Sequence, residues 1–371
     1  MEILPLQSFE AIKLVQMLAD KSMTNSYKIF WLRGIIDSAI EGKTVVNIED
    51  NVIKMISEAW YPVTQYKLSL GKLDKIEEII GEVLKRDPGA AIRNKDDLAD
   101  TIKSFGAADF RSKINRLARY VTFRLLTPFY AEQLRGLSDH DKNRKIQELS
   151  QGDQDALYRI SSKGTSLYIN DRWATFIQKN RQVISGWSDH VLINYLQRRN
   201  PNVPAIPLKI FPPMKRDLSK AKRFWGLVQE NVELMDIYTK RPMTSQHTLE
   251  LGEISIDHFV PWSFVQHDLV WNLIPTFKRI NSMKSNHVPN LNKYLDDFCI
   301  VQYKAVNCMI NTGMHKYLED YYTVDQKMVE MLTRRSNFEK KDFIAALKRT
   351  IEPQVQIATN QGFLEWEYID D

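Results

Sequence analysis

The sequence predicts a mainly α-helical protein with a small α+β insertion and multi-helical regions on both sides of it. Apolar residues recur at helical spacing through residues 1–150 and again after residue 290, for example between Ile29 and Ile40. Short apolar stretches flank a glycine at Gly164 and again at Gly252. The two stretches around each glycine predict a pair of short strands joined by a turn.

Length and proline content predict how the chain divides. A chain of 371 residues, 43% of them hydrophobic, is long enough for more than one core. The segment PNVPAIPLKIFPPMKRDL contains five prolines, which argue against helix and predict an extended connector. We therefore predict a helical region over 1–200 for substrate selection or partner binding, the connector over 201–218, the α+β domain over 219–295 and a helical region over 296–371.

Capping residues and prolines set the predicted helix ends in the N-terminal region. Ser26 precedes an apolar run, and Gly42 lies where a C-terminal cap belongs. Asn47 or Asp50 is placed to begin the next helix, and Pro62 is expected to end it.

A basic segment follows, DFRSKINRLARYVTFRLL, which predicts a helix with several positive charges. Those charges are Arg111, Lys113, Arg116, Arg119 and Arg124. Two interpretations remain open: the basic face contacts a phosphate backbone, or it pairs with the acidic residues Glu77, Glu78 and Glu82.

Composition excludes some classes of protein. The apolar stretches are short and broken by charge, and the first residues lack a secretory layout, so we expect a soluble cytoplasmic protein without a membrane partner. Cys299 and Cys308 are too few for a disulfide framework or a zinc site and are expected to be reduced core residues. A net charge of +5 permits nucleic-acid binding without demonstrating it.

The most informative stretch is ISIDHFVPWSFVQHDLVWNLIPTFKRINSMKSNHVP, which begins at Ile254. The residues of its ordered motif are Asp257, His258, Pro261, Ser263, Trp271, Asn272, Leu273, Asn281, Lys284, Ser285 and Asn286. In order and spacing they resemble the HNH endonuclease family, which has a ββα-metal core. The resemblance implies a fold with strand, strand, long loop and short helix, the helix beginning near Asn281.

The resemblance also implies roles for individual residues. A neutral histidine suits proton removal from water, and a hard divalent ion with oxygen ligands suits charge stabilisation on a phosphodiester. His258 is then the general base, Asp257 and Asn281 the ligands of Mg²⁺ or Mn²⁺, and Asn272 the brace of the loop that orients His258. His287 is a further residue that could assist. Because adjacent strand residues face opposite sides, Asp257 and His258 can share one site only if the backbone turns there.

Many members of this family hold a structural zinc on two Cys-x-x-Cys pairs. The matching stretches here, 238–241 and 277–280, contain no cysteine, so no structural zinc is expected. Burial of Phe277 and Ile280, together with Trp262 and Trp271, is expected to hold the domain instead.

Basic residues around the motif predict contacts to DNA phosphates, at Lys240, Arg241, Lys278, Arg279 and Lys284. A second basic cluster precedes the motif, at Lys215, Arg216, Lys220, Lys222 and Arg223.

The predicted function is metal-dependent hydrolysis of DNA, which the resemblance implies leaves a 5′ phosphate and a 3′ hydroxyl. The helical regions around the domain favour a bacterial restriction or anti-phage defence system, with protein partners from that system. Two alternatives stay open: a structure-selective or RNA-directed nuclease with the same site, and a non-catalytic nucleic-acid-binding or scaffold protein with a structural HNH core.

Overall fold

The computed structural model describes residues 4, 7–19, 23–92, 95–105, 108–211, 216–334 and 339–370. The chain forms two compact units, Met1–Pro201 and Asn202–Asp371. Both are mainly helical with small sheets, which confirms the predicted fold class. The α+β region and the helices that follow it share the second unit.

Helices and a small sheet make up the first unit. Its helices are α1 (Phe9–Met17), α2 (Tyr27–Ile40), α3 (Ile48–Thr64), α4 (Ile76–Arg86), α5 (Lys95–Ser104), α6 (Ala108–Arg124), α7 (Asp139–Ser150), α8 (Asp171–Lys179) and α9 (Arg181–Arg199), with 3₁₀ turns at Pro88–Ile92 and Thr127–Phe129. Its strands are β1 (Val45–Asn47), β2 (Tyr158–Ile160) and β3 (Ser166–Ile169), in the antiparallel order β1-β3-β2.

The predicted hairpin around Gly164 is confirmed, and Gly164 has a φ of +66°. Strand β1 was not predicted, because three residues are too short to show a period. Asn47 caps α3 by accepting a hydrogen bond from the Asp50 amide at 3.2 Å. The prediction that Pro62 ends this helix is wrong: α3 continues to Thr64, and burial of Trp60 and Pro62 holds its last turn.

At one position, the basic helix α6 pairs with an acidic residue of α4, which was the second of its two interpretations. Lys113 pairs with Glu82 of α4, and Glu82 also pairs with Arg86. Arg111 and Arg119 are exposed on the same helix. Pairing between helices therefore accounts for part of the positive charge of α6.

The second unit contains the sequence motif. Its helices are α10 (Ile206–Ile210), α11 (Ser219–Gln229), α12 (Ser245–Leu251), α13 (Trp262–Val265), α14 (Lys278–Lys284), α15 (Leu291–Asn311), α16 (Gln326–Arg334) and α17 (Lys340–Asn360), with 3₁₀ turns at Val270–Asn272 and His315–Thr323. Its strands are β4 (Ile254–His258), β5 (Leu273–Phe277), β6 (Val288–Pro289) and β7 (Glu365–Trp366); β4 and β5 pair antiparallel, and β6 and β7 pair parallel.

Helices α15 and α17 supply much of the core that supports the motif. Phe259, directly after β4, stacks on Phe298 of α15 with ring centroids 4.1 Å apart. Phe277, Ile280 and Trp271 are buried in the same core, as predicted. The expectation for Trp262 is wrong, because its ring is only half-buried and carries a guanidinium on one face.

Two local predictions in this unit are also wrong. The residues before Gly252 form α12 rather than a strand, and the order is strand, long loop, strand, helix, with α14 beginning at Lys278. The 201–218 connector contains the helix α10, because Pro207 lies in its first turn, where a missing N–H costs nothing. Residues 212–215 of the connector lie outside the described residues.

Cys299 and Cys308 are free and buried, as predicted. Within the described ranges, we find no helix with both the length and the apolar character needed to cross a bilayer.

A buried lysine ties α10 to the loop beyond the motif's first strand. The Lys209 side chain is fully buried, and its ammonium donates to the carbonyls of Pro204 and Phe264, each at 2.6 Å. Burial lowers the pKa of Lys209 to about 7. A neutral amine has two N–H groups, so both hydrogen bonds survive deprotonation.

Lys209 should make stability depend on pH. Between pH 7 and pH 10 the unfolded lysine is charged and the folded one neutral, so the unfolded state binds more protons and stability rises with pH. We expect the difference in unfolding free energy between wild type and Lys209→Met to grow by at most about 1.4 kcal/mol per pH unit over this window. Urea titrations from pH 6 to pH 9.5 measure it, with the exposed Lys327→Met as control. A difference that stays flat across the window would contradict the assignment.

Candidate active site

The motif folds into a hairpin with one helix packed against it. Strand β4 pairs with β5 from Ile254 opposite Phe277 to His258 opposite Leu273. The loop between them spans residues 259–272, and α14 follows β5 directly and contacts β4. Two strands and a helix thus place the residues of the motif at one end of β4.

Asn272 fixes the chain immediately after His258. Its buried amide accepts from the Val260 amide and donates to the Val260 carbonyl, both at 2.9 Å. The Asn272 carbonyl also accepts from the Phe259 amide at 2.9 Å. Asn272 therefore holds both ends of the long loop together.

His258 lies in a cluster of three polar side chains. Its Nε2 is 2.8 Å from Oδ1 of Asp268, and Nη2 of Arg216 is 3.0 Å from the same oxygen. A carboxylate only accepts, so Nε2 carries the proton and Nδ1 keeps its lone pair. Burial is the largest effect on the His258 pKa and lowers it, with Asp268 opposing and Arg216 adding to the decrease. The imidazole is thereby favoured in its neutral form.

Asp268 stays ionised in this setting. Burial acts to raise its pKa, but hydrogen bonds from His258 and Arg216 outweigh burial and leave the pKa lowered. The result is a carboxylate that selects one tautomer of His258.

Asp257 has different partners from those of its neighbour. Its Oδ2 accepts from the Tyr238 hydroxyl at 2.7 Å, and the Lys284 ammonium donates to its Oδ1 at 3.1 Å. Lys284 also donates to the His258 carbonyl at 2.6 Å and is fully buried. The side chains of Asp257 and His258 therefore have different partners, and Lys284 links the Asp257 carboxylate to the His258 backbone.

Asn281 lies on α14 beside the middle of β4. Its Nδ2 donates to Ser255 Oγ at 3.1 Å and to the Ile256 carbonyl at 3.3 Å. Its Oδ1 accepts no hydrogen bond within the described residues. His287, the predicted assisting residue, instead bonds through Nδ1 to the Lys284 carbonyl at 2.7 Å, at the end of α14.

The predicted phosphate contacts divide into three groups. Lys278 and Arg279 are exposed and form no ion pair with a described residue. Lys240 pairs with Asp297, and Arg241 pairs with Glu250 and Asp370. The structure corrects the placement of Lys284, whose ammonium is buried against Asp257 and is not at the surface. Of the second basic cluster, Lys215 lies outside the described residues.

The donor chemistry of two residues fits a hard divalent ion. Asp257 offers a carboxylate with lone pairs beyond its two hydrogen bonds, and Asn281 offers an amide oxygen with no hydrogen bond from any described residue. No group of three His, Cys, Asp or Glu side chains among the described residues is arranged to hold a metal. An ion here would complete its shell with water or substrate oxygens.

Sequence reasoning missed Asp268, Tyr238 and the specific place of Arg216. Asp268 follows His267 in a loop without periodicity, so its pairing with His258 had no local signal. Tyr238 was noted as the occupant of a cysteine position, but its hydroxyl bond to Asp257 depends on the fold.

A hairpin with a helix packed against it forms a ββα unit, with a buried histidine at the end of its first strand. Residues 236–290 match the HNH endonuclease family. The match implies nuclease activity in general, and so a nucleic-acid substrate. No curated protein and no solved structure matches the chain.

The buried ion pair predicts a stability effect. Removing one partner of a buried pair leaves an uncompensated charge, so we expect Lys284→Met to lower the unfolding free energy by about 3–5 kcal/mol. Lys278→Met, on the exposed side of the same helix, should change it by less than about 0.5 kcal/mol. Urea unfolding in metal-free buffer gives both values. Equal effects from the two substitutions would show that the Lys284 pair adds nothing to the fold.

Proposed function

We propose that the domain over residues 219–295 is an endonuclease that hydrolyses DNA phosphodiester bonds with His258 as its general base. The observation that supports this most is the His258–Asp268 hydrogen bond of 2.8 Å, which keeps Nδ1 as a proton acceptor. A buried imidazole with one defined acceptor nitrogen is what proton removal from water requires.

In the proposed reaction, Nδ1 of His258 takes a proton from water as the water oxygen bonds to phosphorus. The bond from phosphorus to the 3′ oxygen breaks, and that oxygen gains a proton from solvent, leaving a 5′ phosphate and a 3′ hydroxyl. Asp268 holds the tautomer and stabilises the imidazolium that forms. Asn272 keeps the loop, and so the imidazole, in place.

Asp257 and Asn281 would hold the divalent ion, which we propose is Mg²⁺ or Mn²⁺. Such an ion, when bound, stabilises negative charge on the phosphate and leaving oxygen. Lys284 neutralises the charge of Asp257, so the free protein presents little net negative charge to an ion. We infer that binding is weak until a substrate phosphate adds charge and oxygen ligands.

The exposed Lys278 and Arg279 directly after β5 supply contacts to phosphates without reading bases. The helical unit Met1–Pro201 supports the further proposal of a partner-binding or substrate-selecting role, with restriction or anti-phage defence as the setting.

One observation favours a second candidate, a non-catalytic nucleic-acid-binding protein with a structural HNH core. Asp257 is only 3% exposed, and its carboxylate is already bound by an ammonium and a hydroxyl. Incubation of the purified protein with supercoiled plasmid and Mg²⁺ or Mn²⁺ separates the two candidates. Binding without nicking would support the second.

We expect His258→Ala to lower the nicking rate by roughly 10²–10⁴-fold, since that is the usual contribution of a general base. DNA affinity should stay near the wild-type value, because phosphate contacts lie elsewhere. The matched control is His267→Ala, which lies in the loop after β4 and accepts a hydrogen bond from the Leu269 amide. A His258→Ala protein that nicks plasmid at the wild-type rate would remove His258 from the mechanism.

Two asparagines test the metal proposal. Asn281→Ala removes the amide oxygen proposed as a ligand, so we expect weaker Mn²⁺ binding by calorimetry. Asn286→Ala is the matched control, because Asn286 accepts a hydrogen bond from Ser263 at 3.0 Å and has no proposed ligand role. If Asn286→Ala weakens binding and Asn281→Ala does not, the ligand assignment is reversed.

A further inference from the structure

Arg216 lies in direct contact with the proposed general base, His258, and with Asp268. Its Nη2 is 3.3 Å from each ring nitrogen of His258 and 3.0 Å from Oδ1 of Asp268. A nitrogen at equal distances from the two ring nitrogens lies over the face of the imidazole and not in the ring plane along the Nδ1 lone pair. In the free protein, Arg216 therefore covers one face of the imidazole that carries the proposed acceptor nitrogen.

The Arg216 guanidinium is held in place but keeps hydrogen-bond donors that no described residue uses. Its plane lies over the Trp262 ring, with the guanidinium carbon 4.6 Å from the ring centroid. The side chain is 35% exposed, against 8% for His258, so Arg216 forms the outer layer of the cluster. Nη1 and Nε bond to no other described residue, which leaves donors in the fork geometry that suits phosphate.

Charge favours a contact of Arg216 with a phosphate over its contact with the neutral imidazole. The cluster holds one carboxylate, one neutral imidazole and one guanidinium, and Asp268 shares its single Oδ1 between His258 and Arg216. An incoming phosphodiester brings a full negative charge to the exposed side of Arg216. It offers two oxygens for a bidentate contact, where the face of the imidazole offers contacts of 3.3 Å to its two nitrogens.

We propose, on the basis of the proposed nuclease function, that Arg216 is a catalytic residue that binds the scissile phosphate. By binding the guanidinium, the phosphate draws it away from the imidazole face, so that water reaches Nδ1 of His258 once substrate is in place. Asp268 keeps its hydrogen bond to Nε2 throughout and holds the tautomer. The attacking water then lies between the uncovered Nδ1 and the phosphorus.

The experiment uses the full chain with three substitutions: Arg216→Ala, Arg216→Lys and, as control, Lys327→Ala on α16. Single-turnover nicking of supercoiled plasmid with Mn²⁺ gives the rate. Anisotropy of a labelled duplex without metal, across salt concentrations, gives affinity and its salt slope. Acylation of His258 by diethyl pyrocarbonate, read by mass spectrometry, reports how accessible Nδ1 is in the free protein.

For Arg216→Ala we expect a rate loss of about 10²–10³-fold, the usual cost of one donor to developing charge. Its salt slope should fall by about 1, and His258 should acylate faster than in wild type. Arg216→Lys should keep the salt slope but recover only part of the rate, since an ammonium lacks the fork. Lys327→Ala should match wild type in all three measurements.

Three outcomes would overturn the proposal. An Arg216→Ala protein that nicks faster would make Arg216 an inhibitory cap only. Unchanged rate and salt slope would make it a structural brace of Asp268 and Trp262. An unchanged acylation rate would show that Arg216 does not cover the imidazole of His258. If wild type itself does not nick, the proposed function fails, and the Arg216 proposal is then decided by the salt slope and the acylation rate.

Discussion

The arrangement around β4 depends on the buried ammonium of Lys284. It reaches from the end of α14 to the Asp257 carboxylate and the His258 carbonyl, and so fastens helix to strand at the two motif positions. A buried charge is tolerated only when it is paired and hydrogen-bonded, which ties this lysine to this carboxylate. The same pairing offsets the charge of Asp257.

The two adjacent motif residues have different partners at the end of β4. Asp257 and His258 are the last residues of its ladder with β5, opposite Ile274 and Leu273. Asp257 meets Lys284 and Tyr238, while His258 meets Asp268 from the long loop. The histidine environment thus depends on the loop conformation, which Asn272 fixes through Val260.

Sequence reasoning succeeded where a local rule determines the structure. The hairpin at Gly164 and the cap at Asn47 follow from turn and capping chemistry, and the burial of Phe277 and Ile280 follows from their apolar character. It failed for Pro62, because tertiary burial outweighed one lost hydrogen bond.

The candidate site shows the same division. Asp257, His258, Asn272 and Asn281 stand out in sequence because an ordered motif marks them. Asp268 lies ten residues after His258, in an aperiodic loop. Arg216 lies forty-two residues before His258. Neither spacing marks a shared helix face or strand face, so only the folded chain brings these charges to the imidazole.

Residues 238–241 form a turn without cysteines, and polar contacts and packing hold this turn in place. Asp236 accepts from the Thr239 amide and hydroxyl and from the Thr276 hydroxyl, which joins the turn to β5. Arg241 links the turn to Glu250 and Asp370. From the other side, Gln302 of α15 donates to the Leu273 carbonyl at 2.7 Å. The helices that follow the domain thus complete both its core and its hydrogen bonds.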